Sequence, residues 1–165
     1  MKKIILLITI LLLCGCNKDN SALKKYNLYI EELKVSEISK EIPFDIVVDI
    51  SKFTDQEYMY KVIIDNPKEE LKNIETIVIH DKETKDIFPS SGIFDDKYNL
   101  IPNDINKDNK NAKGIILIGY LPYEENIDIT FKVLLKYETN DKINTIVYST
   151  KKQNITSDNI TGDIF

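Results

Sequence analysis

Few side chains in this chain could make or break a covalent bond, and they are thinly spread. The two cysteines, Cys14 and Cys16, stand close together near the start. A thiolate is a strong nucleophile near neutral pH, so either could be alkylated, acylated or oxidised. His80 is the one histidine, which leaves no multi-histidine metal site and no paired-imidazole relay. In strand alternation with Ile74, Thr76 and Val78 it reads as a strand-end residue with one hydrogen bond rather than a catalytic base. Ser90-Ser91-Gly92 sets hydroxyls beside a glycine but lacks the leading glycine and the following helix of a nucleophile elbow. There is no glycine-rich phosphate cradle and no His-Glu-x-x-His. Carboxylates for glycoside hydrolysis are plentiful, yet tryptophan, the usual sugar platform, is missing. The sequence assigns no catalytic residue, and no cofactor is expected.

The cysteines have a definite context. Lys2 and Lys3 precede Ile4 to Leu13, an apolar run interrupted only by Thr9, and Leu13-Cys14-Gly15-Cys16 closes it. The run falls short of the roughly 20 apolar residues of a spanning helix and has the layout of a secretory signal peptide. Its closing tetrapeptide resembles the lipobox of bacterial lipoproteins, in which a branched residue, two small ones and a cysteine end the signal. That resemblance implies a signal peptide at 1–15, cleavage before Cys16 and a diacylglyceryl group on the Cys16 sulfur. Cys14 fits worse as the lipidation site, because bulky Leu13 precedes it where the motif has a small residue. Each buried acyl CH₂ contributes about 0.8 kcal/mol, and about two chains give stable anchoring. The implied location is the outer face of the cell membrane, with the lipid as the attachment.

Composition narrows the partners. Loss of residues 1–15 leaves 150 residues, enough for one domain with a proper core, and moves the net charge from −5 to −7. An acidic surface argues against nucleic acid, which is bound through cations that neutralise phosphates. Arginine is absent altogether, so bidentate phosphate recognition is excluded. With Cys16 lipidated, no disulfide or thiolate metal site remains, and the core alone must hold the domain.

The elements that position everything else read as strands. Residues 16–25 are polar and form a tether. From Tyr26 the pattern is alternation bounded by turn residues. Leu28 and Ile30, then Leu33 and Val35, suggest a first strand with a bulge, or a short helix. Phe44, Ile46, Val48 and Ile50 form an inward row, as do Tyr58, Tyr60, Val62 and Ile64. Asn66, Pro67 and Glu69 predict one turn of helix through cap, first-position proline and capping-box chemistry. Ile74 to Asp81 is a strand, and 89–113 is the longest irregular stretch. Ile115 to Ile118 is apolar without a break and predicts a strand that is covered on both faces or central. Ile127, Ile129, Phe131, Val133, Leu135 and Tyr137 give the clearest inward row, followed by a turn at 139–142 and a hairpin partner to Thr150. The tail, 151–165, repeats Asn-Ile-Thr at Asn154 and Asn159 and reads as a polar end or as a strand that adds to a sheet edge.

Frequent short strands with almost no helix predict an all-β domain over 26–150, an antiparallel β-sandwich, with a small β-barrel as the alternative. The passage from Tyr58 to Asp81 resembles the strand–Asn-Pro–strand segment of bacterial surface immunoglobulin-like domains, which implies an immunoglobulin-like sandwich. Asp104 to Asn109 sets oxygen side chains at alternate positions, as the opening of an EF-hand loop does. Position twelve is Ile115 rather than a bidentate Glu, and no metal site is assigned. Loop aromatics such as Phe88, Phe94, Tyr98 and Tyr123 read as plugs for the sandwich ends.

The function these features imply is a membrane-anchored, non-enzymatic binding or protein-interaction module with an envelope or extracellular protein partner. An envelope structural or assembly factor is the alternative, and a carboxylate-dependent envelope hydrolase a remote one. The lipid expectation is directly checkable: mass spectrometry of membrane-extracted protein should find a diacylglyceryl adduct on Cys16, and Cys16→Ser should release the protein or leave its signal uncut. A cleaved, unmodified protein in the membrane fraction would refute it.

Overall fold

A computed structural model describes residues 20–82, 90–102 and 110–155. Cys14, Cys16 and the loop 104–109 lie outside the described residues, as does the tail beyond Ile155. Among these residues one helix and eight strands follow in order: α1 (Asn20–Val35), β1 (Asp45–Lys52), β2 (Glu57–Asp65), β3 (Leu71–His80), β4 (Ser90–Leu100), β5 (Asn111–Ala112), β6 (Gly114–Pro122), β7 (Ile127–Thr139) and β8 (Lys142–Ile155). The strands form two sheets, ordered β1-β2-β6 and β5-β4-β3-β7-β8. Every pairing is antiparallel except β4 with β5. The domain is a mostly-β sandwich, and no closed barrel forms among the described residues.

The rows that alternate most cleanly build the space between the sheets. Val48 and Ile50 of β1, Tyr58, Tyr60, Val62 and Ile64 of β2, and the β7 row from Ile127 to Tyr137 are all buried there. Tyr60 and Phe131, from opposite sheets, bring their rings to 5.1 Å, and His80 stands edge-on to Tyr60 at 5.6 Å. Such pairs add about 0.5–1.5 kcal/mol beyond burial. Gly119, opposite Tyr60 in the ladder, makes the contact possible: a Cβ there would stand 2.2 Å from the Tyr60 ring and hydroxyl.

Turn chemistry fixes the longest hairpin. Asn140 and Asp141, at φ 48° and 59°, link the paired ends Thr139 and Lys142. Two consecutive left-handed residues match the right-handed twist of flanking strands, and Asn and Asp tolerate that region better than most.

Four expectations need correction. The first strand is a helix: Tyr26, Tyr29, Ile30 and Leu33 follow helical spacing and face the protein, while Leu28 and Val35 are exposed. It begins at Asn20, inside the stretch read as a tether. The turn of helix after Asp65 does not form. Asn66 adopts φ 48° and donates its side-chain amide to Asp45 (2.8 Å), while the Lys68 N–H donates to the Pro43 carbonyl (2.8 Å). Much of 89–113 is strand β4, whose alternation is broken by a bulge: Ile74 pairs with Tyr98 and Thr76 with Ile93, so the four residues 94–97 stand opposite Glu75 alone. Among the described residues strand β6 is an edge strand with only one face covered.

Helix α1 closes the far side of the five-stranded sheet. Tyr29 and Leu33 meet Ile77, Leu134 and Val147 in a second apolar cluster. Glu75 receives hydrogen bonds from Lys25 (2.5 Å) and from the Tyr29 hydroxyl, and Lys136 reaches Glu32 at 2.6 Å. Burial alone would raise the Glu75 carboxyl, but the hydrogen bonds from Lys25 and Tyr29 outweigh it and hold the group below its ordinary range.

The inter-sheet contact sets a stability test. Phe131→Ala should cost about 3–5 kcal/mol in denaturant unfolding, and Lys132→Ala, on the opposite side of β7, less than about 0.5 kcal/mol. Equal losses would mean that the two faces of β7 are misassigned.

Candidate functional site

The three-stranded sheet has an outer face that nothing covers among the described residues. Its rows follow from the register: Val47, Ile63 and Ile116 lie side by side, then Asp49, Lys61 and Ile118, then Ser51, Met59 and Tyr120. Phe53 leans on Tyr120 with ring centres 5.1 Å apart. Val47 is 52% exposed, Ile116 57%, Ile118 45% and Tyr120 45%. The corresponding outward positions of the larger sheet, Ile77 and Leu134, are fully buried because α1 lies on them. Each sheet carries an apolar row outward, and only that of the larger sheet is covered among the described residues. A contiguous exposed apolar patch of this kind is the usual mark of an interaction surface.

Charge frames this face. Asp49 stands opposite Lys61 in the middle of the sheet, and Asp45 stands opposite Asp65 at one end. At that end a hollow of about 520 Å³ is lined by Ile63, Asp65, Pro67, Ile101, Pro102 and Ile116. A second hollow of about 470 Å³, lined by Ile93, Phe94, Tyr98, Ala112 and Ile115, opens on the other side of Gly114 and Ile116. The two hollows flank the point where the chain leaves β5 in one sheet and enters β6 in the other.

The residues singled out from the sequence do not converge. Cys16 and Asp104 to Asn109 lie outside the described residues. Ser91 and Gly92 sit inside β4, paired with Val78 and Ile77, so Ser90 to Gly92 form strand rather than a turn. His80 ends β3 with its ring between the sheets, and its Nδ1 accepts the Lys82 N–H at 3.3 Å. Burial lowers its pKa. Tyr60 is pushed up to about 12 by burial. Among the described residues, no three of His, Cys, Asp and Glu gather as a metal site would require.

Of the aromatics expected to plug the sandwich ends, Phe88 lies outside the described residues, and Phe94 and Tyr98 lie within β4. Phe94 packs against Tyr26 and Tyr29 of α1, at 6.2 and 5.5 Å. Tyr123 stacks on Tyr58 at 5.3 Å, and Tyr58 donates its hydroxyl to the Glu124 carbonyl. The exposed face is what sequence reasoning missed. Its signal was present: Val47 and Ile63 are apolar at outward positions, and Ile116 and Ile118 continue that row in β6. No protein-family model, curated protein or solved structure matches the chain.

His80 gives this region a pH dependence of definite sign. Its folded-state pKa is lowered from 6.5, so the unfolded chain binds the proton more readily. The associated stability is present above about pH 6.5 and is lost as pH falls through the lower folded value. Thermal melts should therefore decline on acidification from pH 7 to 5, and His80→Gln should flatten that decline. A wild-type melting temperature constant over this range would contradict the buried placement. Glu75 and Asp81, both held below their ordinary values, act only at lower pH.

Proposed function

We propose that this protein is a lipid-anchored, extracytoplasmic interaction module, held to the membrane through Cys16 and binding an envelope or extracellular protein through the outer face of its three-stranded sheet. The observation that carries the reading is the contrast between the two sheets. The five-stranded sheet buries its outward apolar row under α1, whereas Val47, Ile63, Ile116, Ile118 and Tyr120 have no such cover among the described residues. Leaving large apolar side chains in water forfeits about 25 cal/mol per Å² of burial, which a bound partner would recover. The chemistry of the face suits a partner with a flat apolar surface and a charge pair placed to meet Asp49 and Lys61.

The non-enzymatic reading rests on the same residues. The groups with chemical potential are scattered, and the one histidine is packed among aromatic rings. An immunoglobulin-like assignment is supported by two sheets of three and five strands, antiparallel but for the β4–β5 pair, within the size and strand number of that architecture.

The test is site-specific photo-crosslinking in intact cells, with the reactive group in place of Val47 or Ile63 on the outer face, or of Ile143 on β8. A discrete adduct to another protein is expected from the first two positions and not from Ile143, although Ile143 is more exposed. Equal yields at both surfaces, or none at Val47 and Ile63, would remove the outer face from consideration.

A further inference from the structure

The outward side of α1 carries an inference that rests on the anchor proposed at Cys16. Tyr29 and Leu33 turn one side of this helix against the larger sheet, and the opposite side is open among the described residues. That open side is not simply polar. Leu28 is 58% exposed and Val35 82%, and a spacing of seven residues brings them to the same side of the helix, two turns apart. Leu23 is exposed next to them and, with Lys24, Asn27, Leu28 and Glu31, lines a shallow hollow of about 410 Å³. Ile38, just past the helix, is exposed as well.

We infer that this side of α1 lies in the headgroup layer of the membrane that holds the lipid, with Leu28 and Val35 turned into it. Chain length is the first argument. Only residues 17–19 separate Cys16 from α1, and four steps of fully extended chain span at most about 14 Å. The start of the helix is therefore held within that distance of the lipid. Charge is the second argument. The whole chain has 22 basic residues against 27 acidic ones, whereas α1 has three lysines and two glutamates. Lys34 and Glu31 also pair with each other at 2.9 Å. This element thus approaches an anionic lipid surface without the repulsion that the rest of the domain meets. The third argument is avidity. A lipid-anchored chain meets the membrane at an effective concentration of roughly millimolar, so a few apolar side chains suffice where they would not hold a free helix. The layers of the sandwich then decide what points outward. The small sheet lies across the larger one from α1, so Val47, Ile63 and Ile116 face away from the bilayer, where a protein partner can reach them.

Tryptophan is absent from the chain, so a single introduced tryptophan reports its own surroundings. The test takes the full-length chain, purified from membranes with Leu28→Trp, Val35→Trp or Ile116→Trp, into vesicles of phosphatidylcholine and phosphatidylglycerol with brominated acyl chains. An interfacial helix buries its apolar side about 5–10 Å into the boundary between headgroups and acyl chains, so emission from Leu28→Trp and Val35→Trp should shift to the blue and fall at least about twofold relative to unbrominated vesicles. Ile116→Trp, exposed on the far side of the sandwich, should show neither change. Adding Val35→Asp to the Leu28→Trp chain should remove most of the quenching, and at so exposed a position it leaves the circular dichroism spectrum unchanged. Tryptophans at Leu28 and Val35 that stay unquenched, quenching equal at all three positions, or quenching indifferent to Val35→Asp would each overturn the placement. Mass spectrometry of the same samples keeps the two readings apart. A diacylglyceryl adduct on Cys16 with unquenched Leu28→Trp removes the helix contact and leaves the anchor standing, whereas a chain without the adduct removes both.

Discussion

A β-sheet has two faces, and packing one against another sheet leaves the second to be dealt with. This constraint organises the whole domain. The five-stranded sheet meets it with α1, which lays Tyr29 and Leu33 over Ile77, Leu134 and Val147. The three-stranded sheet buries Tyr58, Tyr60, Val62 and Ile64 inward and keeps an apolar row outward. The first solution makes three layers out of a sandwich. The second leaves an apolar row open between charged residues.

The polar contacts around α1 secure its position more than they stabilise it. Lys25 to Glu75 and Lys136 to Glu32 are partly solvated ion pairs, a class that contributes from nothing to about 1 kcal/mol. Lys136 also lies 4.6 Å from the Tyr29 ring centre, a cation–π contact of about the same size. Burial of Leu33, completely removed from water, outweighs each of them at about 1.5–3 kcal/mol. The ion pairs select which turn of the helix faces Glu75, and the leucine holds it there.

The sequence was most legible where one face of a strand is buried and the other wet. The β7 row from Ile127 to Tyr137 and the β2 row from Tyr58 to Ile64 alternate for that reason, and Asn140-Asp141 marks the turn after β7. Helix α1 was misread because Leu28, Ile30, Leu33 and Val35 happen to be spaced like a bulged strand, while the stripe that docks, Tyr26, Tyr29, Ile30 and Leu33, uses two tyrosines. Strand β4 was hidden by the bulge at 94–97 and by Ser, Asp and Lys in a strand with few apolar residues. The apolar row of the outer face was in the sequence, but its exposure was not legible there. An unbroken run such as Ile115 to Ile118 reads the same whether a second layer covers it or nothing does, and the difference lies in where α1 docks, far away in the chain.

That docking also has a mechanical side. The chain leaves α1 through a short connection in which the Ser39 N–H donates to the Val147 carbonyl and the Val147 N–H donates to the Ser39 hydroxyl. Any pull applied through residues before Asn20 therefore enters the domain at the helix and not at a strand. The helix can peel away one turn at a time, whereas the twelve paired positions of β7 and β8 would have to be sheared together. Under load α1 yields first, and the face of the larger sheet that it shelters, Ile77, Leu134 and Val147, is the first part of the interior to meet water.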